Sequence, residues 1–218
     1  MRIGIEINGV LRDTIEKFKQ IYEKHYIDNN IEDNVLNTFT LDMSGNTELE
    51  LQEDPFKYEI LGDVTSLDMK KHFAFRNDDE LYSFMFEEFP MELFGHSPST
   101  EILTFNYLND IYYNLRDEND IIIVSDEIGR SKPSSLFLLS KFGCLIEKIF
   151  FYSNQTKKSM WDSVDILLTA NPDLLLNYPS DKVVIKFNTI YNKDINSKYE
   201  ISSLTEFEGI IKKIEEYV

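Results

Sequence analysis

The sequence predicts an α/β fold with a mainly parallel sheet and helices on both of its faces. Three observations carry this. Short apolar runs at 120–124, 148–152, 165–168 and 182–187 have the length of strands, and the first is continuous in the way of a strand covered on both sides. Stretches with helical spacing of apolar residues separate them. Strand and helix alternate, and that order builds a parallel sheet.

The elements follow in chain order. Residues 2–7 alternate cleanly, with Ile3, Ile5 and Ile7 facing one way and Gly4, Glu6 and Asn8 the other. Asp13 or Thr14 is placed to cap a helix that buries Ile15, Phe18, Ile21 and Tyr22. Residues 27–97 lack the strand–helix alternation and read as a mostly helical insert with a small aromatic core, including a helix over 79–89. Ser97-Pro98 is expected to open a helix that buries Ile102, Phe105, Leu108, Tyr112 and Leu115. A helix over 132–142 should stop at Gly143. Asn171-Pro172 starts a short helix, and Ser203 with Glu206 forms a capping box before a last one.

Composition narrows the function classes. A chain of 218 residues suits one core domain with an inserted subdomain, and 42% hydrophobic residues can build a real core. No apolar run approaches the ~18 residues of a membrane span. The chain starts in an alternating strand, so a secretory leader is not expected. The single cysteine, Cys144, fits a reducing compartment, and a cytoplasmic protein is expected. A net charge of −17 repels nucleic-acid backbones and anionic membranes. His25, His72 and His96 have no metal-ligand spacing.

Ligands of open α/β sheets bind beyond the carboxyl ends of the strands. Three strand ends matter here. The first reads Glu6-Ile7-Asn8-Gly9-Val10-Leu11-Arg12-Asp13-Thr14, the second Ile121-Ile122-Ile123-Val124-Ser125, and the third Asp165-Ile166-Leu167-Leu168-Thr169-Ala170-Asn171-Pro172-Asp173. The first resembles motif one of the haloacid dehalogenase-like superfamily, Asp-x-Asp-Gly-x-Leu-x-Asp-Thr. The second resembles its motif two, and the third resembles motif four of its deoxyribonucleotidase branch. Lys157 or Lys158 stands where motif three has its lysine. The resemblance spans almost the whole chain. It implies strand order 3-2-1-4-5, a core domain of residues 1–26 and 98–218, and a helical cap of residues 27–97.

The departures from the motifs bear on function. The resemblance implies a nucleophile at Glu6 and a general acid and base at Asn8, yet neither position holds the family's Asp. Glu reaches one methylene further, and a misplacement near 1 Å can cost ~100-fold in rate. Asn8 cannot relay protons as a carboxyl does. The family's metal-holding Asp pair is Thr169 and Ala170 here, so no metal and no cofactor is expected; Mg²⁺ would enter only in an active enzyme. A phosphate cradle remains conceivable from Gly9, Ser125 and Lys157 or Lys158. The expected function is a catalytically degenerate binding or structural module. The alternatives are a phosphohydrolase of the nucleotidase type, and a nucleotide-binding regulator without turnover. The sequence does not identify a partner; a phosphate-bearing small molecule and a protein are the candidates, and neither nucleic acid nor a membrane is expected.

Overall fold

The computed structural model describes residues 1–28, 56–126 and 129–216. Six strands form one sheet: β1 Arg2–Glu6, β2 Asp120–Asp126, β3 Ile149–Tyr152, β4 Ile166–Thr169, β5 Val183–Phe187 and β6 Tyr199–Ile201. Their spatial order is β3-β2-β1-β4-β5-β6, and every neighbouring pair is parallel. The expected order of the first five strands therefore stands. The sixth strand is an addition. Its three residues, Tyr-Glu-Ile, are too few to show a period, and it forms by pairing with the edge of β5.

β1 lies in the middle because its residues suit burial on both faces. Ile3, Ile5 and Ile7 are fully buried against Phe105, Leu108, Phe207 and Ile211, which come from the helices Thr104–Leu115 and Phe207–Glu215. Each such isoleucine contributes roughly 1.5–3 kcal/mol. Gly4 points to the other face. There a methyl group would meet Val164 at 2.8 Å and both Leu167 and Val124 at 3.0 Å. That second face buries Met160, Trp161 and Leu174 beneath the helices Lys157–Ser163 and Pro172–Leu176. The chain is thus Rossmann-like, with helices on both sides of the sheet.

Local signals end and start the helices as expected. Asp13 caps the helix Thr14–Tyr22 through the Glu16 N–H, at 3.0 Å. Asn171 caps Pro172–Leu176. Gly143, at φ +65°, closes the helix Ser131–Lys141. The Ser203–Glu206 capping box is present.

The helix expected from Ser97-Pro98 is corrected: it starts at Thr104. Residues 98–100 are drawn instead to the loop after β1. The Asp13 N–H donates to the Pro98 carbonyl at 2.8 Å, and the Thr100 hydroxyl donates to the Val10 carbonyl at 2.5 Å. Ile102 accordingly falls outside the helix and is 99% exposed, and Ile111 takes the place expected for it on the buried face.

Residues 29–55 of the expected insert lie outside the described residues. The remainder is a chain of short helical turns, Met69–Lys71, Asp78–Ser83, Phe84–Glu88 and Met91–Gly95. The helix expected over 79–89 starts at Asp78 and widens into a π-turn from Phe84. Phe73, Phe84 and Leu93 form a third cluster with Phe18, Ile21 and Tyr22, so the first helix packs on the insert with its buried face. Among the described residues no helix is long and apolar enough to cross a membrane.

Candidate functional site

Parallel strands bring their carboxyl ends to one edge, and a cavity of 630 Å³ opens there. Glu6, Asn8 and Gly9 from the end of β1 line it, together with Phe18, Met69 and Phe86. The chain after β1 makes a tight turn. The N–H groups of Leu11 and Arg12 both donate to the Ile7 carbonyl, at 2.9 and 3.1 Å. Gly9 sits at φ +76°, and a Cβ there would fall 1.9 Å from the Tyr191 hydroxyl. Only glycine meets both demands.

Glu6 is 1% exposed and is held from two sides. The Tyr152 hydroxyl donates to Oε1 at 3.0 Å, and the Thr169 hydroxyl donates to Oε2. Strand alternation makes this contact. Glu6 and Thr169 point to the sheet face that holds Tyr152, opposite Ile5 and Leu168. Burial pushes the Glu6 carboxyl up to about 7, against the lowering effect of the two hydroxyls. Tyr152 is raised in turn, by burial first and then by the Glu6 charge, so it stays a neutral donor.

Asn8 is also engaged. Its Oδ1 accepts from Arg12 Nε at 2.9 Å, from Arg12 Nη2 at 2.7 Å and from the Thr14 hydroxyl at 3.2 Å. A guanidinium has only donors, so the amide oxygen must face it, and Asn8 has its NH₂ left for the cavity. Arg12 is fully buried. It also donates to the Phe94 carbonyl at 2.8 Å and to the Ser135 hydroxyl at 2.5 Å.

The four residues of the expected cradle do not meet at the cavity. Gly9 lines it, although its N–H donates to the Arg12 carbonyl at 3.0 Å. Ser125 is fully buried on the sheet face of Ile121 and Ile123, and the strand's next residue, Asp126, lines the cavity instead. Lys157 is ion-paired with Asp173, whose carboxyl it holds below the usual range. Lys158 lies with Lys157, Trp161 and Lys182 in a separate open groove. Thr169 is tied to Glu6, and Ala170 is fully buried against the place of Gly9.

Asp126 and Tyr191, which line the cavity, and Arg12, which is bonded to the lining residue Asn8, escaped the sequence reading. Asp126 directly follows the expected strand end, and the alternation along β2 was signal enough to find it. Tyr191 comes from a short turn after β5, Ile190–Asn192, that no periodicity marks. Arg12 occupies a motif position that admits any residue, so nothing distinguished it.

Mg²⁺ takes a near-octahedral set of oxygen ligands. Here each oxygen of Glu6 already accepts a hydroxyl, the Thr169 hydroxyl is spent on Glu6, and Ala170 offers no donor. Among the described residues no group of three or more His, Cys, Asp or Glu could hold a metal ion. These side chains do not fit the ion that the motif resemblance implies.

The lining is acidic. It includes Glu6, Asp13 and Asp126 and, among the described residues, no Lys, Arg or His. Residues 29–55, 127–128 and 217–218 contain none of these three types either. Compared with models of known protein families the sequence matches none, and no curated protein is significantly similar to it.

Proposed function

We propose that this chain is a haloacid dehalogenase-like protein without phosphoryl-transfer activity, and that its cleft binds a small molecule without turning it over. The observation that carries this reading is the engagement of Glu6. A nucleophile for in-line attack must present a charged oxygen to phosphorus at about 3–3.5 Å. Glu6 instead gives both oxygens to Tyr152 and Thr169 inside the protein, and burial favours its neutral form. Asn8 adds to this support, since an amide cannot relay a proton as a carboxyl does, and Arg12 and Thr14 hold its oxygen in place. The volume of the cavity and its apolar lining residues fit a bound small molecule. With one half-buried cysteine, the module suits a reducing compartment such as the cytoplasm.

The test is steady-state hydrolysis of p-nitrophenyl phosphate and nucleoside monophosphates with Mg²⁺ present. Wild type and Glu6→Gln should be equal, both at background. Turnover that persists through purification and vanishes in Glu6→Gln would overturn the reading and make Glu6 a working nucleophile.

A further inference from the structure

Two sets of residues that differ in kind line the cavity. One is apolar, built from Ile15, Phe18, Met69, Met85, Phe86 and Phe94. Phe86 and Phe94 stack on each other, with centroids 5.6 Å apart and planes 18° apart. The other set is polar. Its residues include Asp13, Asp126 and Glu6 and the amides of Asn8, Gln155 and Asn171.

A carboxylate-bearing lining excludes one class of ligand. A phosphate dianion placed there meets like charge from Asp13 and Asp126, and no cationic side chain lines the cavity to offset it. Lys157, which could otherwise supply charge, is paired with Asp173. Arg12 lies behind Asn8 and spends its donors on Asn8, Phe94 and Ser135. An ammonium group meets the opposite situation. It gains from the carboxylates and from the aromatic lining. An apolar body attached to it would cover the aromatic residues. Neither set of residues alone defines a ligand; their presence together in the lining of one cavity does.

We infer that the cavity is a binding site for an aromatic or amphiphilic amine, its cationic head against Asp13 and Asp126 and its apolar body against Phe18, Phe86 and Phe94. This rests on the reading of the cleft as a binding site, and adds the ligand class. It departs from the phosphate-bearing ligand that the motif resemblance implies.

Three indoles that differ in head-group charge serve as probes: tryptamine, tryptophol and indole-3-acetate. Calorimetry on the intact protein near pH 7 gives their affinities. Tryptamine should bind tightest, by about tenfold over tryptophol, with indole-3-acetate weakest. The advantage of tryptamine over tryptophol should shrink as salt rises from about 0.02 to 0.5 M, while tryptophol holds steady. Asp13→Asn and Asp126→Asn should each lower tryptamine affinity about two- to fivefold and leave tryptophol unchanged. Asn caps a helix as well as Asp does, so the first variant keeps its fold. If indole-3-acetate matches tryptamine, or tryptophol does, the amine assignment is overturned while the cleft remains a binding site. If none of the three binds, the binding reading fails and takes the amine with it.

Discussion

Glu6 turns a motif position into a pH-dependent contribution to stability. Its folded carboxyl titrates at about 7 and its ordinary value is 4.5, so between these pH values the folded state holds more protons than the unfolded one. The stability is therefore fully present below about pH 4.5 and is lost as pH rises through about 7. A shift of this size corresponds to roughly 3 kcal/mol. Glu6→Gln, isosteric and uncharged, should abolish that slope and be the more stable protein at pH 8 by about 1–3 kcal/mol; urea unfolding from pH 4 to 9 measures both. A Gln variant that is less stable than wild type at pH 8 contradicts the burial of a charge. Gly9 is the second residue with a sharp expectation. Gly9→Ala suffers its positive φ and the Tyr191 hydroxyl together, and should cost more than about 2 kcal/mol. Tyr191→Phe removes the clashing oxygen but not the strained backbone, so the double variant should regain only part of the loss.

At the scale of elements, β1 shows what a sequence discloses and what it hides. The alternation of Ile3, Ile5 and Ile7 with Gly4 and Glu6 was legible, because a central strand must satisfy two faces at once. The carboxyl ends of β1 and β4 were legible for the same reason, and with them the meeting of Glu6 and Thr169 at one edge. Ser125 follows the alternation of β2 to the face of Ile121 and Ile123, which leaves Asp126 for the cavity. The helix start at Thr104 was hidden, since the hydrogen bonds holding residues 98–100 come from Val10, Leu11 and Asp13, far away in sequence. Tyr191 and Arg12 matter only through tertiary contacts, which leave no period. Gly4 offers the test at this scale. A Cβ there would meet, at 2.8–3.0 Å, the side chains of Val124 and Leu167 on the two neighbouring strands and of Val164 just before β4. Gly4→Ala should cost about 1–3 kcal/mol by overpacking, and Gly4→Val should leave little folded protein, as read by thermal unfolding. A neutral Gly4→Ala would mean that the second sheet face is looser than described.

For the whole molecule, Arg12 is the tie between parts. One buried guanidinium joins the loop after β1 through Asn8, the insert through the Phe94 carbonyl and the helix Ser131–Lys141 through Ser135. It also lies 4.9 Å from the Phe94 ring centre. Arg12→Met should cost about 2–4 kcal/mol by orphaning these acceptors. Arg12→Lys should recover less than half of that, because an ammonium cannot span the three directions of a fork. Chemical unfolding of both variants checks the order, and a full rescue by Lys would show that charge alone suffices. The same tie fixes the Asn8 amide oxygen, and so connects the stability of the molecule to the proposed absence of chemistry in its cleft. That absence is most directly tested by a crystal structure of the protein grown with Mg²⁺ and inorganic phosphate. Expected are Tyr152 and Thr169 still bonded to Glu6, Arg12 still bonded to Asn8, and no ion between Glu6, Asn8 and Thr169. An octahedral metal bridging Glu6 and a phosphate above Gly9 would contradict it.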